Sequence, residues 1–91
     1  MEIKFPPGQL VSTPGALEAF QRNGTSPLHY LARHLAGDWG DVDAEDWKEN
    51  EYSLKHGLRL LSAYRLADGT KVWVITEADR SATTFLLPEE Y

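Results

Sequence analysis

The sequence predicts an α+β fold in which three short helices are followed by a three-stranded antiparallel β-meander. The first half carries repeated helix start and stop signals, and the last third carries two apolar runs around Asp68-Gly69, which is typical of a hairpin turn. The 91 residues suffice for one domain. We expect an extended lead-in over residues 1–12, a helical part over 13–57, a sheet over 58–87 and a tail over 88–91.

Each predicted helix begins at a capping side chain and ends at a glycine. The cap-and-stop pairs are Thr13 with Asn23-Gly24, Ser26 with Gly37, and Asp43 with Gly57. We expect Trp47 and Leu54 on the buried side of the third helix, and His34 at the surface or capping the second helix. The segment from Gln9 to Ser12 is predicted to be a short edge strand or an extended arm.

The hairpin signal also predicts a strand register. If Asp68 and Gly69 are a two-residue loop, Tyr64 faces Trp73, and the next strand, Ala82 to Leu87, brings Phe85 near Val74 and Leu86 near Trp73. One face then carries Leu60, Tyr64, Trp73, Ile75 and Leu86, and the other carries Leu61, Ala63, Val72, Val74, Phe85 and Leu87. Both faces are apolar, although an antiparallel sheet usually leaves one face in water. We therefore expect a partner, or a second copy in a homodimer, to cover part of one face.

Composition and charge exclude several classes of function. The net charge is −5, from 9 basic and 14 acidic residues, which argues against binding to nucleic acid, including a role as a DNA-associated accessory protein. The absence of cysteine excludes disulfides, thiolate zinc sites and cysteine nucleophiles. The N-terminus lacks a signal-peptide pattern, and no apolar run approaches the roughly 20 residues of a membrane span. We expect a cytoplasmic protein that does not associate with membranes.

Several segments of the chain form a recognisable set. They are Gly37-Asp38-Trp39-Gly40-Asp41 with Glu45-Asp46, then Leu60 to Tyr64, Trp73 to Ser81, Thr83-Thr84 and Leu86 to Tyr91. Together they resemble a family of small bacterial proteins of unknown function, often found with plasmids and integrative elements. Its members are called plasmid-related proteins or, loosely, type I restriction subunits. The resemblance covers most of the chain from residue 9 and implies a protein of a mobile element. The sequence has no glycine-rich strand–turn–helix to support a methyl-donor site.

Seven acidic residues lie between Asp38 and Glu51, against a single lysine, Lys48. Three interpretations stay open: a divalent-metal site, a docking surface for a basic partner, and a solvated helix whose acids favour its N-terminal dipole. The block lacks the glycine and the final glutamate of an EF-hand loop. We expect no metal and no cofactor.

A second cluster of polar residues is predicted at the ends of the strands. Helices followed by a small antiparallel sheet with His, Arg and Thr resemble, in arrangement only, the barnase-like toxin ribonucleases. That chemistry needs a base, a cation for the phosphate and an acid. His56 or Glu77 would be the base, and Arg59 or Arg80 the cation. The alternative is cross-strand pairing that keeps the sheet in solution.

The sequence favours a non-enzymatic protein-interaction module of a plasmid or other mobile element, with the toxin-like ribonuclease as the alternative. No complete catalytic set is present, whereas an acidic helix and apolar residues on both sheet faces suit a protein partner. The predicted interaction residues are Asp41, Glu45, Tyr64, Trp73 and Leu86.

Overall fold

The computed structural model describes residues 2–91, which form three α-helices and one mixed four-stranded sheet. The elements are β1 (Gln9–Ser12), α1 (Pro14–Arg22), α2 (Pro27–Leu35), α3 (Ala44–His56), β2 (Leu60–Arg65), β3 (Lys71–Thr76), β4 (Ala82–Leu86) and a closing 3-10 turn (Pro88–Glu90). The strand order is β1-β4-β3-β2. No helix among the described residues has the length and apolar character needed to cross a membrane.

The α+β class is confirmed, and the three helices are followed by the antiparallel strands β2, β3 and β4, but the expected three-stranded sheet is incomplete. Gln9–Ser12 is an edge strand, one of the two possibilities expected for it, and it makes the sheet four-stranded and mixed. β1 precedes the helices and joins the sheet parallel to β4, while the other neighbouring strands are antiparallel. The Gln9 N–H donates to the Ser81 carbonyl at 3.0 Å, and the Thr13 N–H donates to the Phe85 carbonyl at 3.0 Å. Local sequence signals could not reveal this pairing because the two strands lie some seventy residues apart, so only tertiary packing brings them together.

The helix caps are confirmed. Thr13, Ser26 and Asp43 each accept a backbone N–H of the first helical turn, at 3.1, 3.1 and 2.8 Å. The C-terminal cap of α3 is Gly57, whose φ of +67° is the left-handed conformation that glycine adopts without strain. The cap signals located these helices because each depends on contacts between residues close in sequence.

The predicted β2–β3 register is wrong by one residue. Trp73 pairs with Ala63, and Tyr64 pairs with Val72, whereas the β3–β4 pairs Trp73 with Leu86 and Val74 with Phe85 are as predicted. The connecting loop is longer than two residues, since Gly69 N–H donates to the Leu66 carbonyl and Leu66 N–H donates to the Thr70 carbonyl. The Leu66 side chain is 3% exposed, so it continues the buried face of β2 beyond Tyr64, while its backbone stays bonded to Thr70.

This register gives the sheet two faces with different surroundings. The core face carries Leu60, Ser62, Tyr64, Val72, Val74, Thr76, Thr83 and Phe85. The outer face carries Leu61, Ala63, Trp73, Ile75, Thr84 and Leu86. The prediction that Tyr64 shares a face with Trp73 and Leu86 is therefore wrong. Helices α1 and α2 pack on the core face, where Phe20 meets Phe85 edge-on with ring centroids 5.8 Å apart.

A buried polar chain runs through the core face, and His34 is at its centre. Thr83 donates its hydroxyl proton to the Pro7 carbonyl at 2.7 Å, so it accepts from Thr76 at 2.7 Å. Thr76 then accepts from His34 Nε2 at 2.9 Å, which leaves His34 Nδ1 to accept from the Ser62 hydroxyl at 2.6 Å. The expectation of a surface or capping His34 is wrong: the side chain is fully buried, and burial lowers its pKa to about 3.

Helix α3 lies along the outward edge of β2. The Asn50 amide reproduces the pairing of a neighbouring strand, donating to the Leu61 carbonyl at 2.7 Å and accepting the Leu61 N–H at 3.0 Å. Next along the edge, Ala63 pairs with the loop around Gly40. The buried side chains of α3 are Asn50 and Ser53. Leu54 is half-buried against the core, as expected, whereas Trp47 is 37% exposed, so the expectation is wrong for Trp47.

Candidate interaction surface

The C-terminal turn lies against the outer face of the sheet. The Tyr91 ring packs edge-on against Trp73, with centroids 5.6 Å apart and planes at 70°. The Tyr91 hydroxyl accepts a hydrogen bond from Arg59 Nη2 at 2.6 Å. Trp73 is half-buried and Tyr91 is 66% exposed, while Ile75 and Leu86 of the same face are buried. Two aromatic rings and one guanidinium form the surface here: half-buried Trp73 and exposed Tyr91 and Arg59. We call these three residues the aromatic layer.

The C-terminal turn is held in place by the start of α1. Glu90 Oε1 accepts from the Thr13 hydroxyl at 2.6 Å and from the Leu87 N–H at 2.8 Å. These contacts hold the pKa of the Glu90 carboxyl below its usual range. Gly15 makes room for the carboxylate, because a Cβ at this position would lie 2.5 Å from Glu90 Oε2. The turn thus presents Tyr91 to the outer face from a defined position.

An open groove of about 220 Å³ separates α3 from the outer face. The lining residues are Asp46, Glu49, Asn50, Ser53, Arg59 and Leu61. Carboxylates line the α3 side, the Arg59 guanidinium lies on the sheet side, and Leu61 supplies apolar surface. Because Arg59 also belongs to the aromatic layer, the groove and the layer are one continuous surface.

The five residues predicted to interact do not lie together. Asp41 is exposed and pairs with Arg65 at 3.4 Å and Lys71 at 3.9 Å, and Glu45 is exposed in the first turn of α3. Trp73 belongs to the aromatic layer. Leu86 is 6% exposed beneath that layer, and Tyr64 is 1% exposed on the core face, where its hydroxyl donates to the Asp38 carbonyl at 2.6 Å. Of the five, Trp73 and Glu45 lie on the accessible surface around the groove.

The four residues of the ribonuclease hypothesis have separate surroundings. Arg80 Nη1 donates to the carbonyls of Leu58 at 2.7 Å and Glu77 at 3.1 Å, so this guanidinium holds two backbone segments together. Arg59 bonds to Tyr91, and the His56 ring packs on Tyr52 with centroids 4.1 Å apart. Within residues 2–91, no hydrogen bond or ion pair joins the side chains of His56, Arg59, Glu77 and Arg80.

The acidic block has several distinct roles in the fold. Asp38 accepts from Arg33 at 2.8 Å, and this bond holds the pKa of the Asp38 carboxyl below its usual range. Asp43 caps α3, and Glu51 accepts from the Trp39 indole at 2.7 Å. In the part of the chain that the structure describes, no three His, Asp or Glu side chains converge as metal ligands would. Asp46 and Glu49, which have no such role, line the α3 side of the groove.

Two residues of this surface escaped the sequence analysis. Tyr91 carries no local signal, because its contacts are to residues of β3 and of the segment before β2. Asn50 did carry one: it lies three residues after Trp47 and four before Leu54, so a polar residue interrupts the helical stripe expected to be buried. A polar residue at such a position needs a hydrogen-bonding partner inside the fold, which here is the backbone of Leu61.

Comparison of the chain with models of protein families, with curated proteins and with solved structures finds no match.

Proposed function

We propose that the protein is a non-enzymatic interaction module that binds an extended, basic segment of a partner protein along the groove between α3 and the outer face. The observation that carries this proposal is the pairing of an acidic helix wall with an exposed aromatic layer across one open groove. The resemblance to plasmid-related proteins further suggests a partner encoded by, or acting on, a mobile element.

Charge complementarity favours a basic occupant. Asp46 and Glu49 line the groove, Glu45 is exposed one turn before Glu49, and the whole chain carries a net charge of −5. Such a wall attracts lysine or arginine side chains and accelerates their association, with a dependence on salt. On the opposite wall, Arg59 has further N–H groups besides the one bonded to Tyr91, and these can donate to carbonyl oxygens of an extended backbone.

The aromatic layer suits the apolar part of the same segment. Trp73 and Tyr91 have few rotatable bonds and large contact areas, so they contribute binding energy at a small cost in conformational entropy. Arg59 holds Tyr91 by its hydroxyl, which orders the layer before a partner arrives. Groups that are already ordered lose less entropy on binding.

The ribonuclease alternative has weaker support. A phosphate-binding guanidinium must be available, and Arg80 already donates to backbone carbonyls. An RNA-cleavage assay of the wild-type protein and of Arg80→Ala separates the two functions: cleavage that is lost in the variant would favour the nuclease.

The proposal is tested with two synthetic decapeptides, one alternating arginine with apolar residues and the other carrying glutamate in place of arginine. We expect the arginine peptide alone to shift the NMR signals of α3 and of Trp73. The double variant Asp46→Asn/Glu49→Gln should weaken binding at least about fivefold, which is roughly 1 kcal/mol. Glu18→Gln, an exposed acid on α1, is the matched control and should bind as the wild type does. Equal binding of both peptides would contradict the proposal.

A further inference from the structure

The two edge strands of the sheet differ in what covers their outward backbone groups. The outward edge of β2 is occupied by the Asn50 amide and by the loop around Gly40. β1 is the terminal strand at the other end of the sheet, with Leu10 45% and Val11 42% exposed. An uncovered strand edge is a template for another strand, and proteins commonly protect it with charged residues. β1 carries none, since its sequence is Gln-Leu-Val-Ser.

We propose that the free edge of β1 is a self-association site, at which two copies pair antiparallel about a two-fold axis through Val11 and form a continuous eight-stranded sheet. This surface is separate from the groove, so the inference does not rest on the proposed function. A two-fold axis is the commonest symmetry of protein dimers, and strand addition at a sheet edge is a common mode of recognition.

The hydrogen bonds between β1 and β4 determine which backbone groups of β1 are free to pair with a second copy. Gln9 and Thr13 donate their N–H groups to β4. Successive residues of a strand direct their backbone groups to opposite sides. The N–H and C=O groups of Val11 therefore also point to β4, and those of Leu10 and Ser12 point to the free edge. Two residues per copy are therefore available for pairing.

One antiparallel register uses all of these groups. Pairing Leu10 with Ser12 of the second copy, and Ser12 with Leu10, makes four backbone hydrogen bonds and places the two Val11 residues opposite each other. A shift toward the N-terminus would require Gly8, whose φ of +67° is not that of a strand. A shift toward the C-terminus would require Pro14, which has no N–H. The register centred on Val11 is thus preferred.

Charge also favours a second copy as the occupant. Neither β1 nor its neighbour β4 contains a charged residue, so the two strands bring no like charges directly opposite each other when two copies meet at this edge. The side chains are self-complementary as well: Val11 packs on Val11, and Leu10 lies opposite Ser12. A strand of four residues gives a small interface, so the dimer is a weak one.

Cysteine cross-linking tests the register, because the natural chain contains no cysteine. In the proposed pair, the two Val11 Cα atoms lie about 4.5 Å apart, within the range that a disulfide spans. The two Leu10 Cα atoms lie about 8 Å apart, beyond that range. Leu10 and Val11 have nearly equal exposure, so Leu10→Cys is a matched control for Val11→Cys. We expect Val11→Cys to form the disulfide dimer at least about tenfold faster.

Sedimentation tests the association itself. We expect the mass of the wild-type protein to rise from 10.3 kDa toward twice that value as concentration increases to about 1 mM. Val11→Lys should remain monomeric, whereas Leu28→Lys, which changes a leucine 60% exposed on α2, should associate as the wild type does. A monomeric wild type throughout that range, or cross-linking of Leu10→Cys as fast as Val11→Cys, would overturn the proposal. Peptide binding in the groove should be the same in Val11→Lys and the wild type, so the two proposals fail separately.

Discussion

The two faces of the sheet are built from similar strands but covered in different ways. The core face lies under α1 and α2, and its polar groups are joined in the chain that runs from Ser62 through His34 to Pro7. On the outer face, the C-terminal turn packs its Tyr91 ring against Trp73. The difference implies a division of roles: substitutions on the core face should change stability, and substitutions on the outer face should change binding.

The largest expected effect is that of truncating an aromatic side chain beneath the helices. Phe20 is 1% exposed and packs against both Phe85 and Tyr30, with centroids 5.8 Å away in each case. Phe20→Ala should lower the free energy of unfolding by about 3–5 kcal/mol, because it removes buried surface and leaves a cavity. Chemical denaturation measures this loss. A loss below about 1 kcal/mol would show that the core face is less tightly packed than the structure indicates.

The buried histidine should make the stability of the core face depend on pH. The pKa of histidine in an unfolded chain is about 6.5, whereas burial lowers that of His34 to about 3. Between these values the unfolded state takes up a proton that the folded state does not. The free energy of unfolding should therefore fall as pH decreases from about 6.5 toward 3, by up to about 1.4 kcal/mol per pH unit.

Denaturation curves between pH 7 and 4.5 test this slope in a His29→Gln/His56→Gln variant. That variant keeps His34 as the single histidine of the chain. A free energy of unfolding that stays constant over this interval would contradict a neutral His34, the state that its burial favours.

The accuracy of the structure predicted from the sequence depended on how far apart along the chain the interacting residues lie. Helix ends were predicted because a cap such as Thr13 bonds to a residue three positions away. The predicted β2–β3 register is wrong because Asp68-Gly69 is typical of a two-residue loop, whereas the loop here is longer and closes with Leu66 bonded to Thr70. The sequence allows either an edge strand or an extended arm for Gln9–Ser12, because the strand that pairs with it, β4, lies at the other end of the chain.

The candidate site was predicted less well than the fold. An error of one residue in register moves every side chain of a strand to the opposite face, and this is why Tyr64 was grouped with Trp73. The acidic wall of α3 was visible in composition, but Tyr91 and Arg59 became part of the same surface only through tertiary contacts. The prediction for His34 is wrong because its two hydrogen-bond partners, Ser62 and Thr76, lie far away in sequence and its ring is buried.

A smaller effect is expected where α3 meets the sheet edge, between the two faces. Asn50→Ala removes two hydrogen bonds to the backbone of Leu61 and should cost about 2 kcal/mol, at roughly 1 kcal/mol for each bond. Glu49→Ala, an exposed neighbour, is the control for changes in helix propensity. Hydrogen exchange gives an independent readout: the Leu61 amide should lose protection in Asn50→Ala alone. Unchanged protection would contradict the role of the Asn50 amide as the partner of the Leu61 N–H.

The smallest effect on stability, and the most informative contrast, is expected on the outer face. Trp73 is half-buried and packs on Tyr91, so Trp73→Ala should cost only about 1–2 kcal/mol. The same change should weaken binding of the arginine decapeptide at least about fivefold, because it removes the larger ring of the aromatic layer. Tyr91→Ala should weaken binding in the same direction with still less effect on stability, since Tyr91 is 66% exposed.

Measuring unfolding and peptide binding on the same samples separates the two roles. If Trp73→Ala destabilised the protein as much as Phe20→Ala while binding stayed intact, the outer face would be a second core and the division between the faces would be wrong. The opposite pattern, near-native stability with lost binding, would identify a recognition surface. The reason is that a residue that acts only through packing cannot lower the affinity for a partner without also lowering the free energy of unfolding.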